Sequence, residues 1–282
     1  MASHGALGPA FIVLGSFAVA TGCAGSPPTP VASGQASRII AEGTRLVDLS
    51  HAYDDETIFW PTEDGFTLEK EHDGITPGGF YYASNKLSMP EHGGTHIDAP
   101  IHFAKGKATV DQIPLERLIG PAVVVDVTDR CAKDRDYRVT VGDLEAWEHV
   151  HGAIPNGALV LLFTGFSRFW PDRERYLGTA ERGEEGVKKL HFPGLHPDAA
   201  AWLVDKRHVR AVGLDTASID HGPTRTFDTH RALFEREVPA FENLTGLAEL
   251  PATGATVIAL PMKIKGGSGG PLRIVAVIPP AQ

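Results

Sequence analysis

Residues 89–103, MPEHGGTHIDAPIHF, place three histidines and an aspartate within fifteen positions. Histidine and aspartate at that density suit two chemistries, holding a divalent metal ion and moving protons. His92, Gly94, His96, Asp98, Pro100 and His102 all occupy even positions, so an extended chain would put them on one face. Thr95, Ile97, Ala99, Ile101 and Phe103 would then point the other way, toward a core. At about 3.3 Å per residue the Cα atoms of His96 and Asp98 lie about 6.6 Å apart, close enough for both side chains to meet one ion. A straight strand would hold His92 roughly 20 Å from Asp98. Gly93 and Gly94 supply the bend that returns it, because paired glycines accept backbone angles that other residues avoid. Pro100 turns His102 back in the same way. The expected ligands are His92, His96 and Asp98, with His102 close behind them. A helix is disfavoured by the glycine pair and by Pro100.

Further candidates follow downstream. The stretch 216–247 carries Asp220, His221, Asp228, His230, Glu235, Glu237 and Glu242. A second metal site would need a bridging carboxylate and more nitrogen or oxygen ligands, and spacing alone does not choose among these. His221 is a candidate pocket residue, with an ordinary loop histidine as the plainer reading. Phe59 and Trp60 in IFWP offer aromatic walls for a planar substrate, or simple core packing. His149 and His151 close an expected helix, where imidazole complements the C-terminal dipole. His191 and His196 flank FPGL, with a substrate-side role as the lesser alternative. GGSGG at 266–270 lacks the Lys-Ser/Thr and following helix of a phosphate loop, so a turn or a backbone edge of the pocket is expected.

The elements that must position these groups read as short buried strands: Val123 to Val127, Ala158 to Phe163, Val209 to Leu214, Thr256 to Leu260 and Ile274 to Ile278. TVGDLEAWEHV opens with Thr140 and Asp143 in capping-box spacing, and HPDAAAWLVDKR has proline where a first helical turn accepts it. TAERGEEGVKKL reads as a solvated helix or loop. Strands outnumber helices, which predicts an α/β (α+β) domain with a mixed sheet flanked by helices. The 282 residues are 42% hydrophobic, enough for one sizeable core, and the net charge of -9 without a basic block argues against nucleic-acid binding.

The chain opens differently. Residues 6–20 are apolar and give way to small residues, Cys23 and a Pro/Ser/Gly tract. This reads as a signal peptide over 1–22, whose apolar stretch is too short for a membrane span of about 20 apolar residues. Ala20-Thr21-Gly22-Cys23 resembles a bacterial lipoprotein box, which would lipidate Cys23 and leave 23–44 as a tether to a domain over 45–282. An exported protein, membrane-anchored or periplasmic, is expected. Cys131 is the one other cysteine, so a disulfide framework is excluded and a thiolate metal site disfavoured.

HGGTHIDAPIHF resembles the His-x-Gly-Thr-His-x-Asp-x-Pro-x-His signature of the cyclase superfamily, which includes bacterial kynurenine formamidases and isatin hydrolases. DLSHAY, FWP, DTASID, ENLTGL and LPMKIKGGSGGP extend the likeness from about Val47 to Ile278, and the last of these, with HFPG, is more similar to the isatin hydrolases. The resemblance implies a first metal on His92, His96 and Asp98. It implies a bridge from Asp98 to a second ion held by His230 and Glu242, and His102 as the catalytic histidine. Zn or Mn, in one or two ions, a small aromatic amide substrate and a dimer or tetramer follow from the same likeness. The implied reaction is isatin-like lactam opening or, alternatively, hydrolysis of N-formylkynurenine. A non-catalytic exported binding protein is the competing reading.

Overall fold

A computed structural model describes residues 42–280. The expected signal peptide, Cys23 and most of the expected tether lie outside the described residues. Each of the five β-branched runs forms a strand, at Ile119–Asp126, Leu159–Phe163, Ala211–Leu214, Ala255–Pro261 and Gly269–Ile278. Ile119–Asp126, Leu159–Phe163 and Ala211–Leu214 run parallel, and they bury both faces. Along Leu159–Phe163, Leu159 and Leu161 enter one apolar core while Val160 and Leu162 enter another, as parallel strands covered on both sides must.

The fold is α/β, with a sheet of mixed strand direction flanked by helices, as the composition of elements predicts. The sheet also closes on itself, which the sequence does not announce. Its eight strands run from Arg45–Asp48 through Gly269–Ile278 and on to Ala240–Glu242 and His96–Asp98, and His96–Asp98 pairs back onto Gly269–Ile278. Seven strands therefore form a ring with Ile97, Leu161, Phe241, Val257 and Ile274 among the buried core side chains of one cluster. The other cluster holds Leu144 and Trp147 of helix Val141–His151 and Ala199, Ala200 and Leu203 of helix Pro197–Arg207 against the sheet. Thr140 and Asp143 form the expected capping box, and His196 caps the second helix by accepting from the Asp198 amide. Only Gly183–Val187 of the charged segment is helical. Cys131 is a buried free thiol whose pKa burial pushes up to about 12, so it is inert.

The histidine-rich segment is not one extended strand. Only His96–Asp98 is strand, and Pro100–His102 is a 3-10 turn with proline at its first position. The alternation that aligns His96 with Asp98 therefore does not carry to His102, which reaches the site through that turn. Residues 67–88 hold an element that the sequence reading missed, a two-stranded ribbon of Thr67–Ile75 and Tyr81–Ser88.

Candidate active site

His96 and Asp98 sit where the ring of strands closes. On one side Ala240–Glu242 pairs antiparallel with this strand, setting Glu242 directly opposite His96. On the other, Gly269 lies opposite Asp98. His230 comes from the short helix Asp228–Phe234, the twelve residues before Glu242 being a helix, a turn and the start of the strand. His92 is folded in by Gly93 and by Gly94 at φ +57°, where a Cβ would stand 2.5 Å from the Tyr53 ring. Gly269 is equally constrained, since a Cβ there would come 2.6 Å from His92 Cε1.

The partners on the outer side of His92, His96 and His230 are acceptors, which places a ring proton there. Ser268 Oγ spends its hydrogen on Glu91 Oε2 at 2.6 Å, so at 2.9 Å it accepts from His92 Nε2. His96 Nδ1 donates to the Gly94 carbonyl at 3.0 Å, and His230 Nδ1 donates to Asp220 at 2.6 Å. Each ring thus gives its proton outward and turns its other nitrogen inward. His92 Nδ1 faces Asp98 Oδ1 at 2.6 Å, and His96 Nε2 faces the same oxygen at 3.1 Å and Glu242 Oε2 at 3.6 Å. His230 Nε2 faces Asp98 Oδ2 at 3.1 Å and Glu242 Oε1 at 3.3 Å. Lone pairs and carboxylate oxygens converge on one another, all but His92 almost wholly buried, an arrangement that is repulsive unless positive charge lies among them.

The titration behaviour reports the same demand. Burial opposes charge on His96 and His230, yet the surrounding carboxylates overcome it and push both pKa values up. Asp98 is held well below the usual carboxylate range: burial works against this, and the imidazoles of His92, His102 and His230 prevail. Glu242 is pushed up by burial and by Asp98. A divalent cation satisfies the donor set: nitrogen and oxygen ligands, His92–Asp98–His102 in one group and His96–Asp98–Glu242 in another, with potential ligand atoms within 4.8 Å in each. Asp98 belongs to both groups: its Oδ1 faces His92 and His96, and its Oδ2 faces His230.

His102 stands apart from these hydrogen bonds. Its ring stacks on His92 with centroids 3.8 Å apart, and burial, reinforced by neighbouring imidazoles, depresses its pKa to about 3. It is therefore neutral. Above the cluster opens a cavity of about 460 Å³ whose walls include Trp60, Phe103 and Phe227. Phe59 also borders it, but its ring is buried beneath Gly93. His221 is not among the lining residues, and its half-buried ring has a pKa lowered by burial and Arg138. His191 pairs with Asp136 instead. Asp228 is engaged with Thr226 and Arg231, and Glu237 with Ala108 and Lys107. Sequence reasoning missed Phe103 and Phe227 as walls, and Ser268 and Asp220 as partners of the imidazoles. Asp220 was visible only as one acid among several.

Residues 47–221 match the Cyclase family model, described as "Putative cyclase". The chain belongs to the cyclase family. Among cyclase-family relatives, an isatin hydrolase of Roseibium aggregatum is 34% identical over 75% of this chain and 80% of its own. A kynurenine formamidase of Paracidovorax citrulli is 32% identical over 68% and 79%. The solved isatin hydrolase A from Ralstonia solanacearum superimposes with a TM-score of 0.75 at 32% identity, covering 83% of this chain and 92% of that one.

Proposed function

We propose that this cyclase-family chain is a metal-dependent hydrolase of small aromatic amides and that its substrate is an isatin-like lactam. The observation that carries the reading is the set of inward-facing lone pairs and carboxylates beneath an aromatic-walled cavity. His92, His96, Asp98, His230 and Glu242 would hold Zn or Mn, in one or two ions. A bound divalent ion supplies two things, a lower pKa for water and a polarised amide carbonyl.

The rest is work for the chain. A cavity of about 460 Å³ is sized for a small ligand, and Trp60, Phe103 and Phe227 line it with aromatic rings suited to a planar substrate. Neutral His102 accepts a proton from the attacking water and delivers it to the nitrogen as the C–N bond breaks. Its depressed pKa keeps the lone pair available, and the negative charge that develops during attack raises its proton affinity. Asp220 holds His230 in one tautomer, as the Glu91–Ser268 pair holds His92. In the lactam reaction the five-membered ring opens to an aryl glyoxylate. In the alternative, formamidase reaction, formate leaves an aryl amine.

The isatin-like side is supported by HFPG, by LPMKIKGGSGGP and by the proposed export of the chain, which would expose it to exogenous indole derivatives. The test is turnover of isatin and of N-formylkynurenine, side by side, on the purified metal-loaded protein. Isatin is expected to be the better substrate; clear preference for N-formylkynurenine overturns the substrate assignment.

A further inference from the structure

Asn243 directly follows Glu242, the end of its strand, and is buried with its backbone at φ +55°. That left-handed region is unfavourable for side chains other than a few such as asparagine, and it persists where surrounding contacts impose it. Here the contacts come from four sides. The Asn243 amide donates to the Thr216 carbonyl at 2.8 Å, and its carbonyl accepts from Thr95 Oγ1 at 2.7 Å. Its Nδ2 donates to the Gly94 carbonyl at 2.7 Å, and its Oδ1 accepts from Tyr176 Oη at 2.9 Å.

Two of these bonds reach the segment that carries His92 and His96. The Gly94 carbonyl receives both Asn243 Nδ2 and, at 3.0 Å, His96 Nδ1. Whatever fixes that carbonyl therefore fixes the direction of the His96 ring. The strand ladder cannot do so, because the pairing of Ala240–Glu242 with His96–Asp98 ends where Glu242 meets His96. Asn243 carries the hold one step further, onto Gly94 and Thr95. The amide must also face the right way: turned over, it would set Oδ1 against the Gly94 oxygen, two acceptors with no proton between them. Tyr176, from the helix Arg173–Leu177, supplies the donor that Oδ1 needs in the observed orientation. Its hydroxyl keeps its hydrogen, since burial, reinforced by Asp215 and Glu242, pushes its pKa well above the ordinary phenol value.

We propose that Asn243 is a positioning residue of the metal centre, holding the Gly94 carbonyl and through it the His96 ring, and that Tyr176 keys the Asn243 amide. Both roles rest on the metal reading above and add to it two residues that hold no ion. Asn243 joins the two halves of the centre, covalently bonded to Glu242 and hydrogen-bonded to the backbone between His92 and His96. Without the Tyr176 hydroxyl, Oδ1 loses its donor in a site closed to water, and the orientation that supports Gly94 is no longer favoured.

Zinc affinity of the full chain, measured by competition with a chromogenic chelator, tests this in three variants. Asn243→Gly keeps a backbone angle that glycine accepts freely and removes only the side chain; it is expected to weaken zinc about 10–100-fold. Tyr176→Phe keeps the buried ring and removes one hydroxyl, and is expected to weaken zinc roughly 3–10-fold. The double variant is expected to bind zinc no more weakly than Asn243→Gly alone, because the hydroxyl acts through the asparagine. A pair that only stabilises the fold would lower the melting temperature of the metal-free protein and leave zinc affinity unchanged, and that result overturns the proposal. So do losses that multiply in the double variant. Should Asn243→Gly fail to fold, wild-type zinc affinity in Tyr176→Phe is enough to overturn it. A wild-type chain that binds no zinc is a different failure, that of the metal reading itself, and takes the proposal with it.

Discussion

Asp98 shows how much one residue can be asked to do: its Oδ1 faces His92 and His96 and its Oδ2 faces His230, with the carboxylate itself almost wholly buried. The proximity of His96 and Asp98 was legible because two positions of a strand share a face. The approach of Ser268 to His92 was not, since 176 residues separate them and nothing local marks a serine as a partner. His102 is the residue on which the proposed proton transfer rests. His102→Ala should leave metal content by mass spectrometry unchanged and lower turnover about 10²–10⁴-fold; loss of metal with turnover would make it a ligand. His51 offers a separate test of burial. It stacks on Trp170 at 4.2 Å, and its Nε2 is buried with no hydrogen-bond partner among the described residues. Burial, opposed by Asp48, lowers its pKa to about 4 from 6.5. The unfolded chain therefore takes up this proton first as pH falls, so stability present above about pH 6.5 is lost on the way to pH 4, by up to about 3 kcal/mol. His51→Phe should flatten that part of the stability profile in denaturant titrations; an unchanged slope would contradict the assignment.

At the scale of elements, alternation and β-branching located five strands, and capping chemistry located two helices, because these signals are local. Extended reading of residues 92–102 failed where proline exchanged strand for turn. The ribbon at 67–88 escaped notice because its apolar residues pack on no core of their own chain, leaving Leu68, Ile75, Tyr81 and Leu87 without a recognisable buried face. Gly94 is the hinge on which the first ligand depends. Gly94→Ala meets both an unfavourable φ of +57° and the Tyr53 ring at 2.5 Å, and Tyr53 is itself held by hydrogen bonds to the Gly93 and Thr95 carbonyls. The variant should lower the melting temperature and weaken metal retention against a chelator together. Retention equal to wild type would mean that the bend does not set the position of His92.

At the scale of the molecule, the mixed sheet was legible but its closure was not, because only the pairing of His96–Asp98 with both Ala240–Glu242 and Gly269–Ile278 completes the ring. The candidate ligands cluster on that closing seam. Opposed carboxylates and imidazole lone pairs weaken such a seam unless positive charge neutralises them, so stability and activity should depend on the same ion. The most direct test of the whole account is the rate of isatin hydrolysis before chelation, after chelation, and after Zn or Mn is returned. Activity is predicted to vanish on removal and to come back with the metal; hydrolysis that survives complete removal of metal would contradict the account.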